Sequence, residues 1–260
     1  LTRASEILYG RIPSLEAELE AATEAEKHTK PMVSEEVSSG DIAAVVARFG
    51  LDLLRSLLIY AGLVAVGLLI HTYGVLALAV RFLAGISPMT FFRRTSEAQL
   101  VAFSTSSSNA TLPVSLRTME HKFGVSNSVA SFVLPLGATV NMNGTALYQA
   151  IAVMFIGQIY GMEMGLTEQL KILLTATLAA VGTAGVPSAG IITIIIVLQS
   201  LGMGNQVAAG ISLILGVDRI LDMMRTVTNI TGDLAWCAFV GRSESELDLP
   251  SDAELAKMQQ

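Results

Sequence analysis

From residue 42 onward the chain alternates long apolar runs with short polar interruptions, whereas residues 1–41 are polar and acidic. Residues 14–27 are rich in good helix formers but lack a sustained apolar face, which predicts a solvated helix or disorder there. Residues 53–83 form one apolar run, longer than the roughly 20 residues a bilayer needs, and predict a transmembrane helix within 42–85. A second helix should then run through Phe91, Phe92, Leu100 and Phe103, break over 104–113, and resume to about Met119. Helix, polar tip and returning helix over 86–121 predict a re-entrant hairpin, tolerated at membrane depth only where the tip lines a protein cavity.

The remaining runs are also interrupted. Residues 125–160 predict a helix broken by the amides and glycine of 141–145, and residues 167–202 a second hairpin broken over 182–190. Residues 206–242 predict the last helix, and 243–260 an acidic cytoplasmic tail. Paired breaks in hydrophobic segments point to a transporter built from repeats, with its site at the breaks. The predicted fold class is therefore all-α integral membrane, with two re-entrant helical hairpins and an unwound transmembrane helix around the transport domain 86–242.

The last helix carries the chemistry. At about 100° per residue, Asp218, Asp222, Arg225, Thr226, Asn229 and Asp233 share one arc roughly 100° wide, between flanks nearly free of charge. An aspartate or arginine at mid-membrane costs about 2.5–3.5 kcal/mol on insertion scales, and such residues normally face a cavity or a partner. An ion pair that only ties helices together would account for Arg225 and one aspartate, but not for Asn229, Asp233 and Thr226 on the same stripe.

Composition agrees and narrows the classes. The 260 residues are 52% hydrophobic and only 15% charged, with a mean hydropathy of +0.59, well below the usual charged fraction of about 25% in soluble domains. The net charge of −6 argues against nucleic acid as a partner. One cysteine, Cys237, excludes an intramolecular disulfide framework, and His28, His71 and His121 lack ligand spacing for zinc. The chain opens at Leu1 without signal-peptide zoning, so a fragment or processed chain is expected. Arg81, Arg93, Arg94, Arg117, Lys122 and Arg242 fall on one side and Arg55 and Lys171 on the other, which predicts the first hairpin and the C-terminus on the cytoplasmic side.

Enzymatic readings fail on detail. The serines at 104 and 106–108 have no G-x-S-x-G setting, and Arg225 beside Asp218 and Asp222 removes the shared proton an aspartyl dyad needs. The glycines near 182 lack the lysine of a phosphate loop, and three glycosylation-like triplets fall at membrane depth. The broken helices instead suit hard cations, which need oxygen ligands such as free backbone carbonyls.

Four motifs in order, SSSNATLP at 106–113, NMNGTALYQ at 141–149, GTAGVPSAG at 182–190 and DxxxDxxRTxxNxxGD at 218–233, resemble the dicarboxylate/amino acid:cation symporter family. That resemblance implies an elevator-type secondary transporter, not an enzyme, importing aspartate or glutamate with sodium across the cell membrane, here a bacterial inner membrane. It implies that Arg225 grips the substrate's side-chain carboxylate, Asp222 its ammonium group, and Asn229 with the main chain near Ser107 and Ser108 its α-carboxylate. Met142, Thr145 and Thr226 complete the pocket, Val186, Pro187 and Gly190 belong to an outer gate over 186–190, and Asp218 orients Arg225. Gly137, Asn141, Asn229 and Asp233 resemble one sodium site, and Thr139, Ala180, Val181 and Thr183 a second.

Two positions depart from the family pattern. Asn143 replaces a common aspartate that helps bind a further sodium, which affects ion stoichiometry; Gln149 stands where proton-coupled relatives carry glutamate, so a proton is the less expected coupling ion. The resemblance also implies a homotrimer for the full-length protein, whose first helices do not resemble residues 1–41. A C4-dicarboxylate substrate in the same family and a transport-inactive fragment are the rival expectations, and an acid at Asp222 favours an amino acid.

Overall fold

The computed structural model describes residues 39–204 and 207–258, so the reading of a solvated helix or disorder near the N-terminus lies outside the described residues. Helix α1 (Ser39–Ile70), with a non-helical kink at Gly50, continues through a π-type turn (His71–Val75), an α-turn (Leu76–Ala79) and a second π-type turn (Val80–Ala84). Gly85 in the left-handed region and Ser87 in an extended one reverse the chain, and Pro88 opens α2 (Pro88–Thr105) at a position that needs no N–H. Ser106 is left-handed, and Ser107 caps α3 (Ser108–Arg117) by accepting from the Ala110 N–H at 3.1 Å. A π-type turn (Thr118–Lys122) ends this pair.

Helix α4 (Asn127–Val140) stops at Asn141 and Met142, both outside helical geometry, and α5 (Asn143–Ile159) resumes immediately. Helices α6 (Leu166–Val181) and α7 (Ala189–Ser200) flank the loop that contains left-handed Ser188. Helix α8 (Val207–Ser243) is unbroken over 37 residues, and α9 (Asp252–Met258) closes the described chain. The helices are interrupted between Thr105 and Ser108, at Asn141 and Met142, and between Val181 and Ala189. Among the described residues there is no strand, only an isolated antiparallel bridge between Val125 and Leu247.

Two apolar cores hold these helices. One gathers Phe91 and Ala98 of α2, Met119 and Phe123 after α3, Ala130 and Leu134 of α4, and Ile230 and Leu234 from the C-terminal half of α8. The other joins Tyr60, Val64 and Leu68 of α1 with Tyr148 and Ile156 of α5, Ile172 of α6, Ile194 and Leu198 of α7, and Ile214 and Leu221 of α8. Helix α8 runs through both, and its polar stripe falls where they meet. Burial of polar side chains there is tolerated because the breaks at 105–108, 141–142 and 182–188 bring unpaired backbone groups to the same level.

Among the described residues one helix, Leu54–Ala84, is both long and apolar enough to cross a membrane by itself. The apolar run over 125–160 is divided into pieces of 14 and 17 residues, and the last helix is continuous but carries Asp218, Arg219, Asp222, Arg225 and Asp233. The outer surface is nonetheless apolar, with Leu58, Phe82, Phe132, Leu170, Leu174 and Ile192 among its large exposed side chains, a distribution rare on soluble monomers.

Candidate functional site

The stripe on α8 is buried from end to end, with Asp218, Asp222, Arg225, Thr226, Asn229 and Asp233 each no more than 4% exposed. Arg225 is its centre. Its Nε and Nη2 donate to Asp222 Oδ1 at 2.8 and 2.7 Å, and its Cζ lies 4.5 Å from the centre of the Tyr148 ring. Asp218 is farther, 4.0 Å from Nη1, and accepts a hydrogen bond from the Tyr148 hydroxyl. Nη1 makes no hydrogen bond, so the guanidinium keeps a buried unspent donor. Such a group is costly unless a partner arrives.

The three breaks close around this arginine. The Ser188 N–H donates to Asp222 Oδ2 at 2.8 Å, so the left-handed turn before α7 is tied to the same carboxylate that neutralises Arg225. Gly190 follows at van der Waals contact, and a Cβ there would lie 2.3 Å from Arg225 Nη1. Only a residue without a side chain lets α7 begin this close to the guanidinium. The tips meet each other as well: the Ser107 hydroxyl and the Asn109 N–H donate to Gly185 O at 2.7 and 3.1 Å.

The break between α4 and α5 supplies the floor. Asn229 Oδ1 accepts from the Gly144 N–H at 2.8 Å and the Thr145 N–H at 3.4 Å, satisfying donors that the unwound helix start leaves open. Its amide nitrogen donates to Thr145 Oγ1 at 3.0 Å and contacts Met142 Sδ at 3.2 Å. The Thr226 hydroxyl turns back to the Asp222 carbonyl at 2.8 Å. The void, lined by Ser108, Met142, Thr145, Val186, Gly190, Asp222, Arg225, Thr226 and Asn229, is about 10 Å³, room for about one water.

Most of the expected substrate residues therefore converge. Ser107 is buried beside the void with its hydroxyl spent on the opposite tip, and Pro187 is exposed outside it. Asp218 lies behind Arg225 rather than on the void, as a residue that steadies the arginine would. Sequence reasoning did not assign Ser106, Ala184 and Gly185, which also line the void, or Tyr148, which holds Asp218, and it placed Ser188, which holds Asp222, only within the outer gate over 186–190. All five lie inside quoted motifs, but an aromatic ring and a backbone N–H carry no polar flag in a sequence.

The expected sodium residues fall into two neighbouring groups. Asp233 Oδ1 accepts from Asn141 Nδ2 at 2.8 Å, and a Cβ on Gly137 would come within 2.7 Å of that oxygen, so Gly137, Asn141 and Asp233 sit together. Asn229 is one helical turn from Asp233, with its carbonyl oxygen taken by the α5 N–H groups. Asn143 bonds its own neighbour, Oδ1 accepting from the Gly144 N–H at 2.9 Å. Ala180, Val181 and Thr183 cluster at the end of α6, where the Thr183 hydroxyl donates to Ala179 O at 2.9 Å; Thr139 occupies the last turn of α4, a helix that contacts α6. Helix ends supply carbonyls to both groups, the oxygen chemistry a hard cation requires.

Residues 39–243 match the family described as the sodium:dicarboxylate symporter family. Excitatory amino acid transporter 4 of Mus musculus is 44% identical over 197 residues, 75% of this chain and 34% of the relative. Excitatory amino acid transporter 1 of Homo sapiens is 44% identical over 177 residues, 68% and 32% of the two chains. Excitatory amino acid transporter 3 of Mus musculus is 41% identical over 198 residues, 76% and 37%. The chain spans about a third of the length of the curated relatives it matches.

Proposed function

The chain belongs to the sodium:dicarboxylate symporter family, and from that premise we propose that it forms the substrate-carrying part of a sodium-coupled importer of aspartate or glutamate. The observation that carries this reading is Arg225: a 2% exposed guanidinium at the meeting point of three helix breaks, paired to Asp222 and with one donor unspent. In the bilayer the pairs α2–α3 and α6–α7 act as re-entrant hairpins entering from opposite faces. The void is too small for an amino acid, so entry requires the 182–188 tip to lift and Ser188 to release Asp222.

Substrate binding is then an exchange of ion pairs. The incoming side-chain carboxylate replaces Asp222 on Arg225, where a planar guanidinium recognises it in bidentate fashion. Asp222, freed, takes the substrate's ammonium group. Breaking a buried pair without replacement costs about 3–5 kcal/mol, so a ligand must bring both charges. Succinate would satisfy Arg225 but strand Asp222; a neutral amino acid would do the reverse. Asn229 and the main chain near Ser107 and Ser108 hold the α-carboxylate, and Thr145 and Thr226 complete the pocket. Sodium enters at Gly137, Asn141 and Asp233 and at the carbonyls of 180–183, where it stabilises the closed tip and couples the ion gradient to uptake.

The test is a binding titration on the full-length parent in nanodiscs with aspartate, glutamate and succinate, with and without sodium. Aspartate or glutamate should bind in sodium with at least hundredfold preference over succinate. Equal binding of succinate would defeat the amino-acid assignment, and sodium-independent binding would defeat the coupling.

A further inference from the structure

Among the described residues, α6 and α7 meet each other and α5 largely through apolar side chains, Ile172, Ala176, Ile194 and Leu198 among them. A polar junction interrupts these contacts at Thr193, in the second turn of α7. The Thr193 hydroxyl accepts from Gln149 Nε2 of α5 and, at 3.3 Å, from the hydroxyl of Thr183 just past the end of α6; it donates to Gly190 O at 3.0 Å. One oxygen thus joins α5, the start of the tip and the start of α7. Its two donors differ in what they can do without it. Thr183 already has a second acceptor, Ala179 O, at 2.9 Å, so its single proton can leave Thr193 at little cost. Gln149 is 0% exposed, its Oε1 makes no hydrogen bond, and Thr193 is the partner of its Nε2. Losing that contact would leave the whole amide buried and unpaired, an expensive state.

Resting on the function proposed above, we infer that Thr193 is a positioning residue for the site: held by Gln149, it keeps the start of α7 seated on α5 while the tip lifts on the Thr183 side. The seat matters because Gly190, three residues before Thr193, is packed against the guanidinium, where a Cβ would lie 2.3 Å from Arg225 Nη1. When Ser188 releases Asp222, the front tie of the tip is gone. The rear tie through Thr193 lies outside the lining of the void and stays. The gate therefore opens by parting 182–188 from a stationary α7, and it closes onto a Gly190 that has not moved. Without the Thr193 hydroxyl, α7 loses its polar hold on α5, and the closed form is weakened relative to the open one.

The test uses the full-length parent in nanodiscs and Thr193→Val, which keeps the side-chain shape and removes the hydroxyl. Two readouts are taken. The first needs no substrate: amide exchange over 190–195 should quicken about fivefold in Thr193→Val, Thr193→Ser should restore it, and Gln149→Leu, which cuts the same bond from α5, should reproduce it. The second uses whichever of aspartate, glutamate and succinate the wild type binds. Saturation with that acid should slow exchange over 183–188 in the wild type and change it less than twofold over 190–195. In Thr193→Val its Kd should rise about fivefold, through faster dissociation, and adding Thr193→Val to Gln149→Leu should raise Kd less than twofold further. Unchanged exchange over 190–195 in both variants, a failure of Thr193→Ser to restore it, wild-type slowing that is equal over the two segments, or an undiminished effect of Thr193→Val beside Gln149→Leu would each overturn the inference. A wild type that binds none of the three acids would instead sink the proposed function, while the exchange measured without substrate still decides the role of Thr193.

Discussion

The two helix-break-helix units are built alike and anchored differently. Both present a serine in the left-handed region at or near the tip, Ser106 in the first and Ser188 in the second. The first is bound at its base by the C-terminal segment. Arg94, 7% exposed, donates to Lys122 O, Pro250 O and Asp252 Oδ1 at 2.7, 2.9 and 2.8 Å, and Arg93 to Asp252 Oδ2 at 2.6 Å. Ser126 N–H donates to Glu246 O and Asp248 N–H to Gly124 O, both at 3.0 Å, and Leu247 packs on the same core. The second unit has Leu170, Leu173, Leu174 and Leu178 of α6 exposed, and its tip is tied down through Gly185 and through the Ser188–Asp222 contact. Similar breaks thus give one unit whose base is tied to the C-terminal segment and one whose tip is tied to the site through Ser188 and Gly185.

The strongest way to break that comparison is Arg225→Ala. Without the guanidinium, Asp222 loses the partner that neutralises it in a buried setting, a change of about 3–5 kcal/mol. Aspartate affinity in the full-length protein should fall at least hundredfold, and neutral amino acids should become the better relative substrates. Amide exchange should rise over 183–190 and stay slow over 106–111. Equal loosening of both tips would show that the first unit depends on the site as much as the second.

Gly124→Ala attacks the other anchor. Gly124 has φ +67°, and a Cβ there would lie 2.0 Å from Asp248 O, so the C-terminal segment must leave its place. A left-handed non-glycine residue alone costs about 1–3 kcal/mol. Thermal unfolding should shift down by several degrees and the segment 246–252 should become protease-sensitive, while aspartate Kd in the full-length protein changes less than twofold. A large loss of affinity would mean that the base of the first hairpin reports directly to the site.

Much of this arrangement could be read before the fold was known, and the reason is local. Breaks and stripes are runs of neighbouring residues, so the amides and glycine at 141–145 and the polar arc from Asp218 to Asp233 were visible as departures from hydropathy. Pairings across distance were not. That Arg225 leans on Asp222 while Asp218 stands back depends on where the Tyr148 ring lies. The tail over 243–260 read as acidic and cytoplasmic but without contacts, because its partners Arg93, Arg94 and Gly124 lie more than a hundred residues away.

The smallest expected effect isolates the charge contribution to the first anchor. Asp252 is solvent-exposed, and hydrogen bonds from Arg93 and Arg94 hold its carboxyl below the usual aspartate range. A carboxyl whose pKa is lower in the docked state than in the free segment favours docking above the free value, near 3.9, and loses that contribution as pH falls through the lower, docked value. Docking of 246–252 should therefore be unaffected by pH between 8 and 5, and should weaken only below about 4. Because exposed pairs are screened by salt, high ionic strength should loosen the segment modestly at neutral pH, and Asp252→Asn should reproduce that loosening at low salt. Trypsin cleavage after Arg242, followed on the full-length protein across pH and salt, reads this directly. Loosening between pH 8 and 5 would place the controlling group elsewhere, and salt-independent docking in both wild type and Asp252→Asn would assign the anchor to Leu247 and the backbone pairs alone.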